Sequence, residues 1–139
     1  AQVAAYGIRP DVAIVLECTP AFDLPTEQDV SPNVFLGKGP AVYVMDRGTI
    51  QDPRLVSHIM RTAEANELPF QIRQPGGGGT NTAVIQSVHG GIPAATIAVP
   101  GRHAHSPCMM INLEDYANLV KLTSATLRSL KPQIFGPRD

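Results

Sequence analysis

Apolar and polar positions along the chain follow two rhythms. Val12 to Leu16 is an unbroken apolar, β-branched run set between Pro10-Asp11 and Thr19-Pro20. That pattern predicts a strand buried on both faces. Pro40 to Met45, Phe70 to Arg73 and Ala94 to Val99 read as further strands, closed by Asp46-Arg47-Gly48, a glycine loop over Pro75 to Gly79, and Pro100-Gly101. A short strand over Cys108 to Ile111 follows. Between them the apolar spacing changes to three and four. Asp52 caps a helix with Pro53 at its first position, and Val56, Ile59, Met60 and Ala63 give that helix one apolar face. Thr80 to Val88 is a second helix, stopped by Gly90-Gly91. Asn112 opens the last, with Asp115 completing a capping box. Its predicted inner stripe is Tyr116, Leu119, Val120, Thr123, Leu127 and Leu130. Ala21 to Lys38, with its prolines and scattered charges, reads as an irregular loop.

Strands alternating with helices predict an α/β chain: a partial, open, mostly parallel sheet flanked by helices. Ala1 to Tyr6 has helical character with no capping residue and no initiator Met before it. A piece of a processed or truncated larger protein accounts for that better than a complete small domain.

Composition narrows the function classes. Among 139 residues, 11 basic and 12 acidic side chains give a formal charge of −1 with no run of either sign. Neither nucleic acid nor an anionic membrane is an expected partner. No apolar stretch approaches a membrane span and residue 1 opens no signal peptide, so the expected compartment is the cytoplasm. Cys18 and Cys108 lack ligand-like spacing and read as buried free thiols rather than a disulfide.

In parallel sheets, ligands gather beyond the carboxyl ends of the strands. Glu17, the glycine loop and His105 each follow a predicted strand, which places all three on one sheet edge. An ionised carboxylate closing an apolar strand is costly unless it is paired with an arginine or bound to a metal, and spacing alone does not choose between those two. A lone histidine such as His105 is more often bonded to backbone than a ligand. His103, two residues away, would turn its ring to the same side in an extended loop. His58 and His89 sit on predicted helices and read as structural, and Asp23 and Asp46 as loop-stabilising caps. The glycine loop offers bare amides to an anion but lacks the ending of a P-loop and the spacing of a dinucleotide fingerprint. Ser106 has no nucleophile-elbow context.

Laid side by side, these segments resemble the second half of a dinuclear-metal aminopeptidase. The family comprises the glutamyl aminopeptidases and the tetrahedral, dodecameric aminopeptidases, some of whose members are labelled endoglucanases. The similarity is carried by Pro10 to Glu17, Thr19-Pro20-Ala21-Phe22-Asp23, Leu36 to Ala41, Gly77-Gly78-Gly79-Thr80-Asn81, Gly91-Ile92-Pro93-Ala94 and His105-Ser106-Pro107. The resemblance implies that Glu17 is the carboxylate ligand of one metal and His105 the ligand of the other, in a pair of Zn²⁺ or Co²⁺ ions. It implies substrate-binding or supporting roles for Gly78, Gly79, Thr80, Asn81 and His103. The remaining ligands, the general-base Glu and the inserted dimerisation domain belong to the family's first half, upstream of Ala1. Residues 1–139 would then be the carboxyl-terminal part of a catalytic domain, inactive alone, whose expected partners are the amino-terminal half, peptide substrates and further copies, from dimer to dodecamer. Asn81 stands where relatives commonly have Asp, and Leu24 where they have a small polar residue. The competing readings are a non-catalytic α/β fragment with relic metal residues, and a glycosidase. The latter suits poorly a chain with no Trp and 5% aromatic residues.

Overall fold

The computed structural model describes residues 1–23, 34–74 and 78–135. Leu24 and the Pro75-Gly76-Gly77 part of the glycine loop lie outside the described residues.

The element order is α1 (Gln2–Ile8), β1 (Ala13–Pro20), β2 (Ala41–Tyr43), α2 (Pro53–Ala65), β3 (Gln71–Arg73), α3 (Thr82–Ile85), β4 (Ala94–Arg102), β5 (Met110–Ile111) and α4 (Leu113–Ser129), then a 3-10 turn over Pro132–Phe135. Among the described residues one sheet runs β1-β4-β2-β3, with β5 on the end of β4. The open, mostly parallel α/β sheet expected from the sequence is present. β1 lies parallel to β4 along its whole length, from Ala13 beside Ala94 to Pro20 beside Gly101. β3 lies parallel to β2, but β2 runs antiparallel to β4. The carboxyl end of β3 therefore points away from those of β1 and β4, so the predicted common edge for all three site features does not hold.

Alternation sorts the β4 side chains onto two faces. Ala95, Ile97 and Val99 join Val42 and meet Leu55, Ile59 and Ala63 of α2 and Leu119 and Leu122 of α4, which makes the main core. Each large side chain buried there contributes roughly 1.5–3 kcal/mol. Thr96 and Ala98 face the other way, toward α1 and α3. The predicted cap of α2 is present: Asp52 accepts from the Arg54 and Leu55 amides at 3.0 and 3.3 Å.

Several sequence expectations need correction. β1 lies on the edge of the sheet, with Leu16 52% exposed, and is not buried on both faces. The buried stripe of α4 is Asp115, Leu119, Leu122 and Thr126; Tyr116, Val120 and Leu127 sit one position round and are exposed. Asn112 does cap α4, through the Glu114 amide at 2.7 Å, but Asp115 forms no capping box. Its carboxylate instead accepts from Gly37 N and Gly39 N at 2.7 and 2.8 Å, a demand from a distant loop that outcompetes the local one. His89 lies in a turn beyond α3, with φ at 53°, its ring stacked on Tyr6 and 3.0 Å from the Tyr6 carbonyl. Cys108 is exposed, and both cysteines are free.

Candidate metal and substrate site

Glu17 sits on β1 opposite Ala98, and side chains at partnered positions of parallel strands share a face. It therefore projects on the Thr96 side of the sheet, away from the main core. No arginine pairs with it among the described residues. One carboxylate oxygen, Oε1, accepts instead from the Asn81 backbone N–H at 2.8 Å and from Asn81 Nδ2 at 3.2 Å. Two donors on one oxygen fix the direction of the carboxylate and leave Oε2 with no partner among the described residues.

Asn81 is held by its neighbours. The Thr80 amide and hydroxyl both donate to Asp46 Oδ2, at 3.0 and 2.7 Å, while Asp46 Oδ1 accepts from Gly48 N and Thr49 N. Asp46 is 4% exposed, so this carboxylate is a buried staple between the turn after β2 and the segment that carries Asn81. The Thr96 hydroxyl donates to Thr80 Oγ1 at 3.3 Å and lies 2.6 Å from Thr82 Oγ1. Each hydroxyl has one proton, so Thr82 is the donor in that last contact. This chain of hydroxyls carries residues 80–82 back across the sheet to Glu17, which repairs the distance set by the antiparallel β3. It also explains why α3 begins at Thr82, two residues later than expected: Thr80 and Asn81 are spent on tethering. A Cβ added at Gly78 meets nothing within 4 Å, and one at Gly79 only Asp46 Oδ1, at 4.0 Å. Packing among the described residues does not require glycine at either position.

His105 follows β4, the strand next to β1. Its ring is exposed and has no hydrogen-bond partner among the described residues. The 103–105 segment is a turn, not the extended loop expected: His103 and His105 both adopt left-handed backbone, with φ at 58° and 64°. Such non-glycine conformations cost about 1–3 kcal/mol each and gather at functional sites. Ser106 braces the turn, its Oγ 2.7 Å from the His103 carbonyl and 2.8 Å from that of Cys108. The structure thus brings Glu17 and Asn81 into contact, and sets His105 beyond the end of the neighbouring parallel strand. No group of three or more His, Cys, Asp or Glu side chains able to hold a metal occurs among the described residues. Asp23 plays its expected role, accepting from Leu36 N at 3.0 Å and pairing with Arg102 at 2.7 and 3.0 Å. His58 is structural as expected, with Nε2 3.2 Å from Ser129 Oγ.

Sequence reasoning missed a second cluster on the Glu17 face. Thr19 Oγ1 accepts from the Tyr43 hydroxyl at 2.9 Å and from Arg73 Nε at 3.2 Å, and the Arg73 guanidinium lies 5.0 Å from the Tyr43 ring centroid. Burial pushes the Tyr43 phenol above its ordinary range, so it stays a neutral donor. The available signal was an arginine ending a short apolar strand.

Residues 1–122 match the family model described as M42 glutamyl aminopeptidase. The chain belongs to the M42 glutamyl aminopeptidase family. It is 34% identical over 138 residues to the lysyl aminopeptidase of Pyrococcus furiosus, covering 99% of this chain and 38% of that protein. Among solved structures, an aminopeptidase from the archaeon Desulfurococcus kamchatkensis superposes with a TM-score of 0.93 at 32% identity, over 97% of this chain and 39% of that one. The TET1 peptidase of Pyrococcus horikoshii, which can assemble into a tetrahedron or a large octahedral shell, gives 0.73 at 27% identity, over 93% and 36%. The chain thus spans somewhat over a third of the length of the M42 relatives it matches. As expected, no described helix is long and apolar enough to cross a membrane.

Proposed function

We propose that the protein bearing this segment is a metal-dependent aminopeptidase that removes residues from the amino terminus of peptides, and that residues 1–139 supply one part of its catalytic domain. The observation that carries this reading is the orientation of Glu17: Asn81 clamps one oxygen and leaves the other open on a strand of an M42 fold.

The donor chemistry fits a metal in part. A carboxylate oxygen and an exposed, unbonded imidazole are ligands for Zn²⁺ or Co²⁺, but a catalytic site needs about three protein ligands, so further donors must come from outside the described residues. Bound divalent ions supply Lewis acidity, polarising a peptide carbonyl and acidifying water. Within this chain, Glu17 and His105 hold the ions, Asn81 sets the carboxylate direction, and Asp46 with Thr80 keeps Asn81 in register. Gly78 and Gly79 leave room for substrate backbone. His103 shapes the turn that presents His105. Self-association of the whole protein, from dimer to dodecamer, belongs to the same reading, in keeping with the shells built by the Pyrococcus horikoshii relative.

The test is the full-length protein with added Zn²⁺ or Co²⁺. It should hydrolyse aminoacyl anilides, lose activity to a chelator and recover it on adding metal. Glu17→Gln and His105→Ala should each lower bound metal per chain as well as kcat, while residues 1–139 alone show no turnover. A full-length protein that binds no metal would establish the non-catalytic alternative.

A further inference from the structure

Gln51 has no internal partner to account for its burial. It is 1% exposed, and neither Nε2 nor Oε1 has a hydrogen-bond partner among the described residues. Buried side-chain amides are normally paired, because donors and an acceptor taken out of water are costly to leave empty. The backbone around Gln51 is fixed: its N–H donates to the Val44 carbonyl, and that of Asp52 to the Ala94 carbonyl, each at 3.0 Å. The side chain is not fixed in this way. With no hydrogen bond to break and a broad terminal torsion, its carboxamide is free to turn.

Gln51 lines a cavity of about 810 Å³ at the amino end of β4, together with Asp52, Arg54, Gln86, Ile92 and Pro93. Small-ligand sites commonly enclose roughly 300–1,000 Å³. Ala94 marks this end of the strand, whereas the position facing Glu17 is Ala98, about 13 Å further along. Asp52 and Arg54 pair with each other at 2.7 Å, and no other charged side chain lines the cavity among the described residues. A charged ligand would therefore find no free counter-charge. Ile92 and Pro93 offer an apolar wall.

We infer that this cavity binds a small, uncharged molecule with an amide edge, in which an N–H and a C=O lie side by side in one plane. Such an edge accepts from Gln51 Nε2 and donates to Oε1 at once, satisfying both ends of the carboxamide with one rigid group. Two kinds of molecule carry it: primary carboxamides and nucleobases. The inference needs neither metal nor turnover, so it stands independently of the aminopeptidase reading.

The experiment titrates full-length, metal-free protein with benzamide and with uracil, by ligand-observed NMR and calorimetry. Two controls accompany them: N,N-dimethylbenzamide, which lacks the N–H, and benzoate, which is charged. Benzamide or uracil should bind wild-type protein, and both controls should bind at least about 10-fold more weakly. Gln51→Leu should weaken the binding by roughly 10-fold or more, as expected for losing two neutral hydrogen bonds. With nothing bound, Gln51→Leu should melt no lower than wild type, since it removes an unsatisfied buried amide. Ser87 is exposed at the rim of the same cavity, so Ser87→Trp should obstruct it without entering the core. That variant carries the test should Gln51→Leu fail to fold. Binding of benzamide alone assigns a primary carboxamide, of uracil alone a nucleobase, and of both the shared edge. No binding of either probe by wild type, equal binding of the controls, or binding unchanged in both variants overturns the inference. So does a lower melting temperature for ligand-free Gln51→Leu with no probe bound, which would mean that an enclosed water or another part of the polypeptide already satisfies Gln51.

Discussion

Gly39 shows how tightly single residues constrain this fold. Its φ of +91° is hostile to any side chain, and an added Cβ would lie 2.4 Å from the Pro69 carbonyl oxygen. Gly39→Ala is therefore expected to destabilise by about 1–3 kcal/mol from backbone strain alone, with the clash adding to it; the midpoint of urea unfolding checks this. Asp115, 1% exposed, gathers the same loop from the other side by accepting the Gly37 and Gly39 amides. Asp115→Ala strands the buried Gly39 amide, at about 1–3 kcal/mol, while the exposed Gly37 amide turns to water, so the loss should fall within that range. Asp23 offers a pH test. Hydrogen bonding from Arg102 holds its carboxyl below the usual range, against a smaller upward push from burial. Because folding lowers this pKa, the pair stabilises the fold above the unfolded-state value of about 3.9, and that contribution fades as pH falls through the folded value. The stability gap between wild type and Asp23→Asn should be widest near neutrality and close under acid, measured as urea midpoints across a pH series.

At the scale of elements, what the sequence revealed depended on how local the causes were. The cap of α2 was legible because Asp52 and Pro53 act within one turn. Every strand was legible in outline because apolar runs between turn residues report burial directly. The buried face of α4 was not. Both phases of that helix carry apolar side chains, and only packing against α2 and β4 selects Leu119 and Leu122 over Tyr116 and Val120. The role of Asp115 was hidden for a similar reason, since its partners lie 76 and 78 residues away in sequence. For the site, Glu17 and His105 were readable as candidates at strand ends. The clamp by Asn81, the Asp46 staple and the Thr80-Thr96-Thr82 hydroxyls were not, because the antiparallel pairing of β2 with β4 is a topological fact with no signature in composition. Thr96, a lone polar residue inside Ala94 to Val99, was the one visible trace.

The molecule as a whole leaves apolar surface uncovered. Val3 and Ile8 of α1 are 86% and 73% exposed, Leu113 of α4 is 77% exposed, and among the described residues no strand pairs with the outer edge of β1. Unpaired edges and apolar patches of this kind invite association. Residues 1–139 expressed alone should bind a hydrophobic dye and associate with rising concentration, and the remainder of the polypeptide should suppress both. A monomeric, cooperatively melting product would show that this surface needs no cover.

The register of β1 against β4 also has a consequence in time. Ala13 finds its partner in Ala94, 81 positions later, so the strand that carries Glu17 cannot be completed until more than half of this segment has been synthesised. At typical translation rates of about 5–20 residues per second, that interval lasts roughly 4–16 s. Throughout it the apolar run from Val12 to Leu16 is a nascent strand awaiting its template. During that interval the ribosome-bound chain should therefore be a chaperone client, with binding at the Val12 to Leu16 run falling once β4 emerges.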